Sequence, residues 1–280
     1  MKDILKDKRK LTIGYWIARG LLLLIVMATF VPFVVMLLMS IKENINITTD
    51  FWSLPEVIVW RNYTKAFTYI VRPICNSLFI ALCTIAVELV LVGMSGYAFG
   101  RHKFYGKNVI FIMFIGVMMI PNVLMVVPLF LTVNRLGLMN NYLALVLPYI
   151  SGLQLFGILL ARSFFASLPE EMFEAAKIEG AGEMYIFTRI AVPLSVSILI
   201  SVGITSLIAI YNDYVWPTLV ISGETRRTFS QAVFTLSNGY FADYGLITAG
   251  YVIGTIPMLI ITGSCLKYYM KGLLEGAIKG

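Results

Sequence analysis

Two acids, Glu88 and Asp213, stand inside apolar runs that carry no other negative charge. An acid at the centre of a bilayer costs about 2.5–3.5 kcal/mol on insertion scales, so such a residue faces a cavity, a pathway or another helix. Either could relay protons or hold a solute. Either could equally hydrogen-bond between helices or across a contact with a second subunit. Other reactive chemistry is scarce. His102 is the only histidine, and no nucleophile elbow accompanies it, so a Ser–His–Asp arrangement has no support. The nearest approach to a phosphate-binding loop, Gly100-Arg-His-Lys-Phe-Tyr-Gly106-Lys107-Asn108, has one residue too many between its glycines and Asn where Ser or Thr must hold magnesium. Paired Asp-rich motifs for a magnesium-bound lipid diphosphate are missing as well. Cys75 and Cys83 would lie about 12 Å apart by rise on one helix, too far to bridge, and with Cys265 they form no metal-ligand spacing. The expectation is a chain that is not an enzyme and holds no metal and no cofactor of its own.

The elements that must position these residues are membrane helices. Of 280 residues 59% are hydrophobic and 13% charged, against about 45–50% and about 25% in soluble domains, and the mean hydropathy is +0.85. The apolar residues fall in blocks of the roughly 20 residues needed to cross a bilayer. They predict an all-α polytopic protein of six transmembrane helices in a single domain, 1–280. The helices are placed at about Arg19–Ile41, Asn76–Phe99, Asn108–Val133, Tyr142–Phe165, Pro193–Ile221 and Tyr244–Met270. Pro121 and Pro128 should kink or break the third. The first follows a basic stretch like that of a signal peptide, but it is too long and lacks a small-residue cleavage site, so it should be retained.

The net charge of +7 does not point to nucleic acid, because the cations gather at the ends of apolar runs as orientation signals. Fourteen fall on the side of the two termini and seven on the other, so both termini are expected in the cytoplasm. The segments 42–73 and 222–243 are then the outer loops, and Trp52, Pro55 and Trp60 suit the headgroup level of the lipid.

The polar connection 167–192 lies on the cytoplasmic side. Ser167 and Glu170 have capping-box spacing, Pro169 fits a first turn, and Glu170, Glu171 and Glu174 suit the positive end of a helix dipole. Gly180 and Gly182 end that helix, and a second short one from about Glu183 leads to Pro193. Met172, Phe173 and Ala176 share one face. That face needs cover, from the chain's own helices, from the lipid surface or from a partner protein.

Glu174-Ala175-Ala176, then Gly180, Ile190 and Val192-Pro193, resemble the cytoplasmic "EAA" loop of ABC-importer permeases, with Val192 where Leu is usual and Glu179 where Asp is common. Further stretches resemble the sugar-importer branch: Ser95–Arg101, Met119–Pro121 to Phe130, Leu136-Gly137-Leu138, Tyr211–Pro217 and the closing Lys271–Gly280. The last is similar to the smaller permease of maltose-type importers of di- and oligosaccharides. The resemblance implies a type I ABC-importer permease fold in a bacterial or archaeal cell membrane. It implies a second homologous permease, two ATPase subunits carrying ATP and magnesium, and an extracytoplasmic solute-binding protein that delivers the sugar. Met172, Phe173, Glu174, Ala175, Ala176 and Gly180 would couple to the ATPase, the C-terminal tail would add to that contact, and Ser237, Asn238, Gly239, Tyr240 and Phe241 would meet the binding protein.

Sugars are held by aromatic faces and a small number of oriented polar groups. Tyr211, Asn212, Asp213, Tyr214 and Trp216, with Asn122 between the third helix's prolines, fit that description as substrate-path candidates, and they equally fit packing between helices. Glycerol-phosphate importers share much of the pattern, although a phosphate would want cavity cations, which the apolar runs lack. A secondary transporter driven by protons through Glu88 or Asp213 would leave the EAA loop without a purpose.

Overall fold

A computed structural model describes residues 2–237 and 242–277, with side-chain environments for 15–237 and 242–270. In chain order the helices are α1 (Lys2–Ser40), α2 (Asn44–Thr49), α3 (Arg61–Arg101), α4 (Lys107–Met118), α5 (Asn122–Arg135), α6 (Leu143–Ala166), α7 (Glu170–Ile178), α8 (Glu183–Ile186), α9 (Val192–Leu194), α10 (Val196–Asn212), α11 (Val215–Val220), α12 (Phe229–Ser237) and α13 (Tyr244–Ala277). A π-helical turn, Phe187–Ala191, joins α8 to α9. No strand occurs among the described residues.

Among the described residues, four stretches are long and apolar enough to cross a membrane: Tyr15–Ser40, Arg61–Arg101, Leu143–Ala166 and Tyr244–Met270. Two bent pairs, α4 with α5 at 96° and Glu183–Leu194 with α10 at 72°, bring the number to six if each pair is one span. The expected third helix is thus broken, at one of its two prolines only. Around Met119 and Ile120 the backbone tightens to i→i−3 bonds, Pro121 takes an extended ψ of 126°, and α5 starts afresh at Asn122. Pro128 lies inside α5 without ending it. The expected fifth helix is also divided. The π turn precedes Pro193, where a widened turn accommodates a ring that would clash with the carbonyl four residues earlier. The chain then bends at Ser195, and Asp213 separates α10 from α11.

The chain divides into two compact units, Met1–Thr68 with Leu236–Ile253, and Tyr69–Thr235 with Gly254–Gly280. In the first, α1 is exposed from Tyr15 to Val34. Its end is tied to the following segment by a buried cation. Lys42 Nζ donates to the carbonyls of Asp50 (2.9 Å), Phe51 (3.3 Å) and Ser53 (2.9 Å) and to Ser53 Oγ (3.0 Å). Asn62 Nδ2 donates to the carbonyls of Ser40 (3.0 Å) and Lys42 (2.9 Å). α3 begins at Arg61, well before the expected Asn76, so 42–73 holds a short helix, an irregular stretch at 50–60 and the first turns of a long helix.

In the second unit α3, α6 and α10 pack at backbone distance. A Cβ on Gly96 would come within 2.5 Å of Ala161 Cβ, and one on Gly100 within 2.9 Å of Phe165 Cβ. Glycine at these positions therefore sets the α3–α6 separation. Glu88 is fully buried on α3, where Ser206 Oγ of α10 donates to it at 2.8 Å. This acid bonds between helices, the plainer of its two readings.

Candidate functional site

The connection between α6 and α10 folds as two short helices around a glycine turn, as its residues predict. Gly180 has φ +84°, a left-handed conformation that costs a residue with a Cβ about 1–2 kcal/mol. Its N–H donates to Lys177 O and that of Ala181 to Ala176 O, both at 3.0 Å, closing a Schellman cap on α7. Gly182 has an ordinary φ of −74° and opens α8 instead. The expected capping box does not form. Ser167 Oγ donates to Phe164 O (2.8 Å), finishing α6, and Pro169 precedes α7 without a side-chain cap. Glu170 is drawn away by Arg101, whose Nη2 lies 2.7 Å from its carboxylate. A full cation outcompetes a backbone amide for that carboxylate.

The face carrying Met172, Phe173 and Ala176 is split. Phe173 is 3% exposed and Ala176 8%, packed in one cluster with Tyr97, Ala161, Phe165 and Ile186. Met172 is 41% exposed. Glu171, Glu174, Ala175, Glu179 and Gly180 are exposed with it, and so are the apolar Ile178, Met184 and Tyr185. The loop therefore buries its aromatic side on the chain's own helices and holds out an acidic face studded with apolar residues.

Arg101 and Glu183 fasten it in place, a role that residue spacing did not reveal. Arg101 Nη1 also donates to Leu168 O (3.2 Å), and its guanidinium stacks 4.0 Å from the centroid of the Phe173 ring. Glu183 Oε2 accepts from Tyr97 OH (3.2 Å) and lies 3.5 Å from His102 Nε2, while Oε1 lies 3.2 Å from Lys177 Nζ. The available signal was a basic pair, Arg101-His102, ending one apolar run opposite the loop's acids.

The residues considered for a substrate path separate into two sets. Tyr211 is buried, stacks on Phe229 (4.9 Å) and donates to Gly254 O (2.7 Å). Trp216 is buried and donates Nε1–H to Ala144 O (2.9 Å). Asp213 accepts from Tyr149 OH (2.9 Å) and from the backbone N–H of Val215 (3.0 Å) and Trp216 (3.3 Å), which makes it the cap of α11. These three serve the joint between α10, α11 and α6. Asn122, Asn212 and Tyr214 are exposed, Asn122 at the α4–α5 break and Tyr214 stacked on Phe234 (4.9 Å). Of the outer segment, Ser237 ends α12, while Asn238, Gly239, Tyr240 and Phe241 lie outside the described residues.

A helix–glycine–helix connection, bent helix pairs and acids hydrogen-bonded to neighbouring helices agree with the comparisons to known proteins. The family described as "binding-protein-dependent transport system inner membrane component" matches residues 90–272. The chain belongs to this family. It is a permease subunit of an ABC importer, a multi-pass membrane protein, and the matched span contains the whole α7–α8 loop. The chain is 30% identical over 276 residues, 98% of its length and 92% of the relative's, to the probable ABC transporter permease protein YurM of Bacillus subtilis. It is 28% identical over 249 residues to the diacetylchitobiose uptake system permease protein NgcG of Streptomyces coelicolor, covering 88% and 82% of the two chains. Identity is 29% over 270 residues with the trehalose/maltose transport system permease protein MalG of Thermococcus litoralis, covering 93% and 95%. Among solved structures, a bacterial ABC transporter involved in import of the acidic polysaccharide alginate has a chain of the same fold, with TM-score 0.80, 20% identity and coverage of 92% and 96%.

Proposed function

We propose that this permease translocates a di- or oligosaccharide, delivered from outside by a solute-binding protein, and that it works beside a second permease and two ATPase subunits that alone bind ATP and magnesium. Relatives along nearly the whole chain are named for diacetylchitobiose, arabinooligosaccharides and trehalose or maltose, which supports a neutral sugar.

The observation that carries the mechanism is the split face of α7. A loop that only covered its own helices would have no use for exposed Met172, Ile178, Met184 and Tyr185 beside Glu171, Glu174 and Glu179. An apolar surface rimmed by charge suits a partner. Glu174, Ala175, Gly180 and Met172 form the contact with the ATPase, and Phe173 and Ala176 hold the helix that presents them. Both termini lie with the loop in the cytoplasm, as the basic flanks require. Exposed Asn122, Asn212 and Tyr214 remain as sugar-path residues in this chain.

The test is co-purification. Glu174→Arg with Ala175→Asp should abolish capture of the ATPase by the tagged permease while leaving the permease in the membrane at its normal level. Undiminished capture would exclude the docking face. A panel of di- and oligosaccharides, scored by thermal shift of the solute-binding protein, identifies the cargo; stabilisation by a phosphate ester alone would overturn the sugar reading.

A further inference from the structure

The docking face is held by a set of contacts that packing alone does not need. The last turn of α3 reaches both helices of the loop. Arg101 meets the start of α7 in three ways: the ion pair with Glu170 at 2.7 Å, the Leu168 carbonyl at 3.2 Å and the face of Phe173 at 4.0 Å. Tyr97 and His102 meet the start of α8 through Glu183, and Lys177 of α7 joins the same carboxylate. Tyr97 also packs edge-on against Phe165 of α6 (5.6 Å between centroids) and at a tilt against Phe187 of the π turn (5.2 Å). Gly96 and Gly100 bring α3 into backbone contact with α6, so a force on the end of α3 acts on both helices.

We propose that this clasp makes the end of α3 the transmitting arm of the permease, with Arg101, Glu170 and Glu183 as positioning residues that carry loop displacement into the membrane helices. The inference rests on the docking reading above. Peptide links join α7 to α6 and α8, through the π turn, to α10, but short links without side-chain bonds would let the loop pivot. Two charged fastenings, one at each helix start, remove that freedom. Coupling between sites needs such a discrete, connected element.

The experiment uses the assembled transporter in nanodiscs, in a background without Cys75, Cys83 and Cys265, with spin labels at Gly182 between α7 and α8 and at Tyr105 just beyond α3. Both sites are exposed, and a Cβ at Gly182 meets nothing within 4 Å. The expected wild-type result is one narrow distance distribution, the same without nucleotide and with ATP plus vanadate. Glu170→Arg together with Glu183→Gln should broaden it and lower the stimulation of ATP hydrolysis by the solute-binding protein at least about fivefold. Glu170→Asp and Glu183→Asp should keep both wild-type values. Glu170 and Glu183 are largely exposed, so these variants leave the core intact. A double variant that retains the narrow distribution and full stimulation overturns the proposal. Failure of the wild-type permease to retain ATPase subunits would instead overturn the docking reading, and the distances in the permease alone would still decide whether the clasp holds loop and helix together.

Discussion

Gly180 carries the turn of the loop, because its φ of +84° is open to glycine at little cost and strained for any side chain. Beyond its two chain neighbours nothing lies within 4 Å of the position a Cβ would take, so a substitution there acts through the backbone. Gly180→Val is expected to cost about 1–2 kcal/mol locally, to shift α8 relative to α7, and to reduce ATPase capture without lowering membrane insertion. Pull-down set beside membrane immunoblotting checks this. Gly180→Asn should retain more capture than valine, since Asn tolerates the left-handed region. At the α10–α11 joint, Trp216 is expected to act in packing and Tyr214 on the proposed sugar path. Trp216→Phe leaves the Ala144 carbonyl without its donor, at about 1–3 kcal/mol, and should lower the melting temperature of detergent-solubilised protein. Tyr214→Ala, at an exposed ring, should leave melting nearly unchanged and weaken sugar uptake. If uptake into proteoliposomes is unaffected, Tyr214 is not on the path.

At the scale of elements, the approach of α3 to α6 depends on Gly96 and Gly100. Gly96→Val places carbon where Ala161 Cβ already stands, and overpacking of this kind costs about 1–3 kcal/mol. The helices must separate, and the Tyr97–Phe165–Phe173 cluster opens with them. The expected outcome is a lower melting temperature and greater hydrogen exchange in 170–186, read by mass spectrometry. Unchanged protection there would mean that the loop does not depend on α3. Element boundaries were partly legible. Pro121 announces the break between α4 and α5, yet Pro128, equally conspicuous in sequence, breaks nothing. A proline always removes one donor, but whether the helix stops depends on whether the chain around it tightens and turns, and that is set by neighbours.

For the whole molecule, the distribution of basic residues predicts sidedness: the α7–α8 loop and both termini inside, 42–73 and 222–243 outside. Cysteines at exposed Tyr105 and Trp52, in a cysteine-free background, should react with a membrane-impermeant maleimide from opposite faces of the membrane. Labelling of Trp52→Cys in intact cells or spheroplasts, with Tyr105→Cys reacting only after lysis, is expected; the reverse pattern overturns the orientation.

Composition and apolar run length predicted an all-helical, multi-span membrane protein, and the residues of 167–192 predicted a helix–glycine–helix loop, because those properties depend on local propensity and on the solvent each segment meets; the permease reading came from the resemblance of the EAA-type stretch to a known family. The tertiary structure decided which side of each residue does the work. Met172, Phe173 and Ala176 share a face by spacing, but only the arrival of Tyr97 and Phe165, distant in sequence, turns Phe173 and Ala176 inward and leaves Met172 out. Asp213 and Trp216 fit a sugar path by residue type, and the tertiary structure adds that Asp213 accepts from Tyr149 and that Trp216 donates to the Ala144 carbonyl. Glu170 has the spacing of a cap until Arg101 takes its charge. In each case the deciding partner comes from another helix, and a buried or ion-paired group answers to the strongest partner in space rather than to its neighbours along the chain.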